Sequence, residues 1–269
     1  MKKLIFYFLF IPLVTFGQDA ELYSNHSFIY KEASGRDLKL YMFKPEKWKS
    51  GMNYPSIVFY FGGGLTNRNL DQMEIIAKRF SSEGFVSFVV DYRVKISESV
   101  TALECISDAQ DSFTFIRKNA DLFGISKNKI TAFGYSSGGY LSAALGTLID
   151  KKNNSLSKPN FMVLLAMGEP SKYRSYEWLG TKNLNSISTI YNIDKNTPPS
   201  LLFVGESDGL QKYSEEFNNK MIKNKNFSEL VLFKNKGHSF SMRDKTDKYF
   251  NLIFDKSLEF LNSQFSNSN

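Results

Sequence analysis

The stretch AFGYSSGGYLSA, residues 132–143, contains two adjacent serines among glycines and other small residues. The pattern G-x-S-x-G is matched when Ser136 stands at its centre. Centring the same pattern on Ser137 fails, because Tyr135 would then occupy the first glycine position. In this pattern the serine sits on a strained turn between a strand and a helix, where residues two positions away must lack bulk. The stretch therefore predicts Ser136 as a nucleophile at a strand-to-helix turn.

Strand-like and helix-like segments alternate on both sides of this turn. Short runs rich in apolar, β-branched and aromatic residues predict strands at 37–43, 56–61, 85–90, 129–134, 161–167, 200–205 and 229–234. Longer helical patterns lie at 69–83, 101–119, 137–150, 211–225 and 246–262. The run 37–43 alternates in the manner of an edge strand. The alternation predicts a single α/β domain over 18–269, with a mostly parallel sheet of about eight strands flanked by helices.

Chemically useful groups follow four of the predicted strands. Glycines follow the strand at 56–61, Ser136 follows 129–134, and carboxylates follow 200–205. His238 comes after the strand at 229–234. Because ligands of such sheets bind outside the carboxyl ends of the strands, we expect these groups to meet at one edge. Together they form the set of groups needed for acyl transfer.

A serine hydroxyl needs a base within hydrogen-bond reach, and the base needs an orienting group. The chain has two histidines. His26 precedes the first predicted strands, where convergence on the active edge is not expected, so His238 is the predicted base.

Three carboxylates could orient that base. Asp208 gives the order Ser, Asp, His found in α/β-hydrolases and is the predicted acid. Glu206 follows the same strand and is the second candidate. Its alternative interpretation is a solvated carboxylate in a loop, without a catalytic role. Asp194, further upstream in a polar loop, is the third possibility.

The triple glycine at 62–64 resembles an HGGG-type oxyanion loop with Phe61 in place of the histidine. Glycine lets backbone N–H groups approach a developing negative charge closely. Gly63, Gly64 and the amide of Ser137 are the predicted oxyanion donors. Without the serine motif, the glycines would be interpreted as an ordinary loop after a strand.

Composition excludes several other classes of function. The formal net charge is +7, but no basic run interleaved with aromatic residues is present, so nucleic-acid binding is not expected. The sequence has no HExxH motif, Cys/His cluster or nucleotide-binding glycine pattern, and we expect no metal or cofactor. The single cysteine, Cys105, cannot form an internal disulfide and is interpreted as a packing residue.

The N-terminal segment has the layout of a secretory signal peptide. Two lysines precede an apolar run at 4–14, and small residues offer cleavage after Gly17. The predicted signal peptide is 1–17, which places the protein in the periplasm or outside the cell. The apolar run is short for a bilayer span, so stable membrane insertion after cleavage is not expected and a retained anchor is the alternative.

With these residues assembled, the chain resembles secreted α/β-hydrolases of the acetyl esterase/lipase type, close to feruloyl/acetyl-xylan esterase-like carbohydrate esterases. The resemblance runs over about 55–240 and rests on YFGGG, DYR, FGISKNKITAFGYSSGGYLSA, TPPSLLFVGESD and GHSF. It implies a serine carboxylic-ester hydrolase with Ser136 as nucleophile, Asp208 as acid and His238 as base. Phe61 departs from the family pattern.

The substrate is expected to be a small or carbohydrate ester with a short acyl group such as acetyl. The segment between Gly168 and Pro198 is too short for a large lipase lid, and Tyr135, Tyr173 and Trp178 are candidate substrate contacts, with packing beneath a loop as the alternative. An α/β-hydrolase-type serine peptidase is the enzymatic alternative. A non-catalytic binding module on the same scaffold is the other alternative.

Overall fold

The structure is a computed structural model that describes residues 26–148, 156–170, 174–240 and 247–267. The predicted signal peptide at 1–17 and the candidate substrate contact Tyr173 lie outside the described residues.

In these described ranges, eight strands form one sheet in the order β1-β2-β4-β3-β5-β6-β7-β8. β1 and β2 pair antiparallel, β2 also pairs antiparallel with β4, and the other neighbouring strands are parallel. The strands are β1 His26–Ala33, β2 Arg36–Phe43, β3 Tyr54–Tyr60, β4 Val86–Val90, β5 Ile125–Tyr135, β6 Phe161–Leu165, β7 Ser200–Gly205 and β8 Ser228–Phe233.

Among the residues that the structure describes, five longer helices follow the predicted helical patterns, and three short ones lie in connections. They are α1 Asp71–Ser82, α2 Lys95–Glu98, α3 Ala102–Lys118, α4 Ala120–Phe123, α5 Ser137–Thr147, α6 Tyr176–Leu179, α7 Gln211–Lys223 and α8 Lys248–Asn267. A 3-10 turn at Leu184–Ser186 lies between α6 and β7. The predicted α/β architecture with a mostly parallel sheet is confirmed.

One strand, β1, was not predicted. The strand predicted at 37–43 is present as β2, but its predicted position at the edge of the sheet is wrong. β1 pairs along β2, so β2 has neighbours on both sides and the sheet edge lies at β1. The alternation in β2 buries Leu38, Leu40 and Met42 on one face and leaves intervening residues partly exposed. Alternation of apolar and polar residues in β2 therefore indicates a partly solvated face of the sheet, not a free edge.

The core is packed on aromatic side chains from strands and helices. Phe59 of β3 lies 5.1 Å from Phe133 of β5 and 6.0 Å from Phe80 of α1, measured between ring centroids, and all three are fully buried. Burial of three phenylalanines contributes roughly 2–3 kcal/mol each. This packing fixes the central strands, and the residues at their carboxyl ends are fixed with them.

Candidate active site

Ser136 lies on a sharp turn between β5 and α5. Its backbone has φ 55° and ψ −117°, a combination that places a non-glycine residue in the left-handed half of conformational space. The turn is held because the Ser136 N–H donates to the carbonyl of Leu165 in β6 at 2.8 Å. The strain is thus maintained by the neighbouring strand, and it lifts the serine side chain out of the sheet.

The two motif glycines are required by close backbone contacts. A Cβ on Gly134 would lie 2.0 Å from the carbonyl oxygen of Gly138, and one on Gly138 would lie 2.0 Å from that of Tyr60. Contacts this short with backbone cannot be relieved by side-chain movement. The spacing in G-x-S-x-G therefore reflects how tightly α5 begins against β5 and β3.

The structure brings Ser136, His238 and Asp208 into one hydrogen-bonded chain. His238 Nε2 lies 2.9 Å from Ser136 Oγ, and His238 Nδ1 lies 2.9 Å from Asp208 Oδ2. The Asp208 side chain is 1% exposed, and its other oxygen accepts from the Leu210 N–H at 2.9 Å. A carboxylate fixed on Nδ1 places the proton there and leaves Nε2 to accept from the serine hydroxyl.

The alternative groups lie elsewhere. Glu206 accepts from the Asn235 N–H at 3.3 Å, and Asp194 accepts from the Asn196 N–H at 2.8 Å. His26 lies in β1, at the opposite edge of the sheet from β8. Of the candidate acids, Asp208 is the one placed against His238.

The glycine loop after β3 faces the same serine. Gly63 has φ 139°, and a Cβ there would lie 2.3 Å from the carbonyl oxygen of Asn67. The Gly63 carbonyl accepts from the N–H groups of Thr66 and Asn67 at 3.0 and 3.1 Å, which folds the loop back on itself. Gly63 and Gly64 both border one cavity beside Ser136, and Gly64 also borders a second one. Their amides and that of Ser137, the first residue of α5, remain the predicted oxyanion donors.

Other contacts steady this loop without the usual histidine. The Phe61 ring stacks on Tyr92 at 4.1 Å between centroids, and the Tyr92 hydroxyl donates to the Phe61 carbonyl at 2.7 Å. The Gly62 N–H donates to Gln72 Oε1 at 2.8 Å. Gln72, at the start of α1, was not anticipated, because a polar residue there resembles any other first-turn side chain.

The candidate substrate aromatics have different surroundings. Tyr135 is buried, donates from its hydroxyl to the His238 carbonyl at 2.6 Å and stacks on the His238 ring at 5.3 Å. It therefore supports the loop that carries His238 as well as bordering a pocket. Trp178 of α6 lines a cavity beside Ser136, with the Arg174 guanidinium 4.5 Å from its ring centroid.

Two cavities meet at Ser136. One, of about 250 Å³, is polar and includes Asn69, Gln72, His238 and Ser239. The larger, of about 450 Å³, is lined by apolar, aromatic and charged side chains, among them Leu65, Tyr140, Trp178, Glu169, Arg174 and Lys212.

Glu169, which the sequence did not single out, follows β6 and borders the larger cavity. Burial raises its pKa to about 7, although the Thr189 hydroxyl, at a very short contact, and the N–H groups of Thr189 and Ile190 donate to its carboxylate. The cause is desolvation of the charged form, which these hydrogen bonds only partly offset.

Within the described residues, no group of three His, Cys, Asp or Glu side chains could hold a metal ion. Across those same ranges, none of the helices combines the length and apolar character needed to cross a membrane.

Comparisons with known proteins agree with this fold. The BD-FAE family model matches residues 40–173, just under half of the chain and a range that ends before Asp208 and His238. The esterase Est2 from the Planctomycetes species Thermogutta terrifontis, solved with propionate bound, is 28% identical with a TM-score of 0.83 and covers 92% of this chain and 97% of that chain.

Two curated relatives carry names from plant cell-wall chemistry. The acetylxylan esterase of Xylanibacter ruminicola is 25% identical over 155 residues, 50% of this chain and 31% of that protein. The endo-1,4-beta-xylanase B of Butyrivibrio fibrisolvens is 26% identical over 166 residues, 55% of this chain and 26% of that protein. The aligned part is therefore less than a third of each relative's length.

The sheet order, the serine turn and these likenesses define the class of protein as an α/β-hydrolase. Within that class the chain is a carboxylic ester hydrolase that resembles carbohydrate esterases. The fold class and the resemblance predicted from sequence are both confirmed.

Proposed function

We propose that this protein is a serine esterase that removes short acyl groups, acetyl among them, from carbohydrate or other small esters. The observation that carries the proposal is the continuous chain from Ser136 Oγ through His238 to Asp208, with both contacts at 2.9 Å. A base in reach of a hydroxyl and oriented by a buried carboxylate is the arrangement that activates serine.

The reaction would proceed through an acyl-enzyme. His238 Nε2 takes the Ser136 proton while Oγ attacks the ester carbonyl carbon, and the oxyanion lies against the amides of Gly63, Gly64 and Ser137. The protonated His238 then donates to the leaving alcohol oxygen as its bond to the acyl carbon breaks. Water, deprotonated by His238, releases the acid and restores the serine. Asp208 acts by positioning the imidazole and stabilising its charged form.

The polar cavity beside His238 supports a carbohydrate as the alcohol. Asn69, Gln72 and Ser239 present amide and hydroxyl groups there, which suit hydrogen bonding to sugar hydroxyls. The names of the relatives and the propionate in the similar esterase agree with a short acyl group on such an alcohol.

Action outside the cytoplasm belongs to the same proposal and rests on the predicted signal peptide at 1–17. Expression of the full chain in a bacterial host should give mature protein beginning at Gln18 in the periplasm or medium. Retention of the N-terminus in the membrane fraction would favour the anchor.

The test compares Ser136→Ala with Ser137→Ala as a matched pair. Hydrolysis of p-nitrophenyl esters of increasing acyl length and acetate release from acetylated polysaccharides would be measured. Wild type and Ser137→Ala should cleave the short esters, because Ser137 contributes only its backbone amide, and Ser136→Ala should lose roughly 10⁴-fold or more in kcat. Wild type that binds acetylated polysaccharide without cleaving it would instead indicate a binding module, and cleavage of peptides alone would indicate a peptidase.

A further inference from the structure

The position of His238 assigns the two cavities to the two halves of an ester, an inference that rests on the proposed function. His238 must donate a proton to the leaving alcohol oxygen, so the alcohol departs on the side of the imidazole. Ser136 and Gly64 border both cavities, but His238 borders the 250 Å³ cavity and not the 450 Å³ one, which Ser137 borders instead. The larger cavity is therefore on the acyl side of the serine.

This acyl-side cavity is larger than an acetyl group requires. Cavities that enclose whole small-molecule ligands begin at about 300 Å³. At about 450 Å³ the acyl-side cavity has room for several atoms beyond the carbonyl carbon.

Two cations border this cavity and form no ion pair with any described residue. Arg174 reaches back toward the oxyanion loop, since a Cβ built on Gly64 would lie 4.0 Å from its Nη2. Its guanidinium also lies over the Trp178 ring, which fixes its direction. Lys212, in the first turn of α7, is the second cation. Both remain available to a negative charge carried by a ligand.

The carboxylate that lines the same cavity, Glu169, does not neutralise these cations. Glu169 lies within 4 Å of neither of them as an ion pair, and its oxygens accept instead from Thr189 and Ile190. The Glu169 carboxylate is thus hydrogen-bonded by the 189–190 segment and forms no ion pair with Arg174 or Lys212.

We propose that the acyl-side cavity binds an acyl group that ends in a carboxylate, so that hemiesters of short dicarboxylic acids are a preferred substrate class. Arg174 and Lys212 pair with the free carboxylate, and the apolar side chains that line the cavity contact the methylene groups between it and the ester. The chemistry is the same hydrolysis: the ester C–O bond breaks, water oxygen joins the acyl carbon, the alcohol gains a proton, and the distal carboxylate is unchanged.

The test uses a pair of ethyl esters of matched shape. Monoethyl succinate carries a terminal carboxylate, and ethyl 4-methylpentanoate carries an isopropyl group in its place. Ethanol release gives kcat/KM for each, and the ratio between them is the readout. Wild type should favour the hemiester by about tenfold or more, equivalent to about 1.4 kcal/mol, and the preference should weaken as salt is added.

Four variants separate charge from packing. Arg174→Gln and Lys212→Gln should each reduce the ratio severalfold, and Arg174→Lys should retain most of it. Lys223→Gln removes an exposed charge from the other end of α7, away from the cavity, and should leave the ratio unchanged. A wild-type ratio at or below one, or a ratio unaffected by both cavity variants, would overturn the proposal while leaving the esterase function intact. No cleavage of either ester, or of p-nitrophenyl acetate, would instead count against the proposed function itself.

Discussion

At the scale of single residues, the backbone of the serine turn sets the strictest requirement. Gly138→Ala would place a methyl group 2.0 Å from the Tyr60 carbonyl oxygen, so β3 and α5 would have to separate. We expect a loss of about 3 kcal/mol in the free energy of unfolding and loss of esterase activity. Gly209→Ala is the matched control, because a Cβ there has no atom within 4 Å. Urea unfolding followed by circular dichroism would measure both. Equal stability of the two variants would contradict the steric account of the motif.

The orienting acid is the second requirement at this scale. Asp208→Asn keeps the shape of the side chain but cannot hold the Nδ1 proton in the same way, and kcat should fall by roughly 10⁴. Glu206→Gln should stay within about tenfold of wild type, because its carboxylate contacts Asn235 and not His238. Saturating p-nitrophenyl acetate would be used for both. The reverse ordering would transfer the role to Glu206.

At the residue scale, prediction from sequence was possible where a pattern has a steric or chemical cause. Ser136 is predicted as the nucleophile because glycines stand two positions away on both sides of it. His238 is predicted as the base because the chain has two histidines and the other precedes the first predicted strands. Tyr135 is a candidate substrate contact by sequence, and its hydrogen bond to the His238 carbonyl spans 103 positions of sequence, which no local pattern contains.

At the scale of elements, a cluster of ion pairs holds the predicted oxyanion loop in place. Arg68, on the loop that carries Gly63, lies 2.9 Å from Asp91 and also pairs with Glu98, and Arg36 of β2 pairs with the same two carboxylates. The Asp91 and Glu98 side chains are largely buried, at 9% and 5% exposure, so the cluster is more than a solvated surface pair. This support was invisible in sequence because its members come from four separate segments.

Arg68→Gln should therefore lower kcat by about tenfold with little change in KM, since the loop amides matter most in the transition state. Arg36→Gln removes the same kind of charge from the same cluster but lies on a strand outside the loop. It should reduce thermal stability and leave kcat close to wild type. Steady-state kinetics and melting temperature on both variants provide the check. Similar kcat values for the two would show that the cluster serves stability alone.

At the scale of the whole molecule, sheet order explains why so much of the site was predictable. Parallel strands place their carboxyl ends along one edge, so the residues after β3, β5, β7 and β8 converge once the alternation of elements is recognised. β1 escaped prediction because its half-exposed pattern lacks the apolar density of the central strands. The acyl-side cavity also escaped prediction, since its walls are contributed by connections whose relative placement depends on tertiary packing.

Stability of the whole molecule should depend on pH through Glu169. Burial raises its folded-state pKa to about 7 from an ordinary 4.5, so between these values the folded protein holds a proton that the unfolded chain has released. The folded state then binds more protons, and the contribution of Glu169 to stability falls as pH rises through this window and levels off above it.

Glu169→Gln removes the titration. Relative to wild type, its free energy of unfolding should therefore be more favourable at about pH 8 than at about pH 5, by about 2 kcal/mol. Glu206→Gln, which removes an exposed carboxylate, is the control, and both would be followed by urea unfolding at the two pH values. A relative stability of Glu169→Gln that is the same at both pH values, or that changes no more than the control, would show that Glu169 does not titrate with a raised pKa in the folded protein.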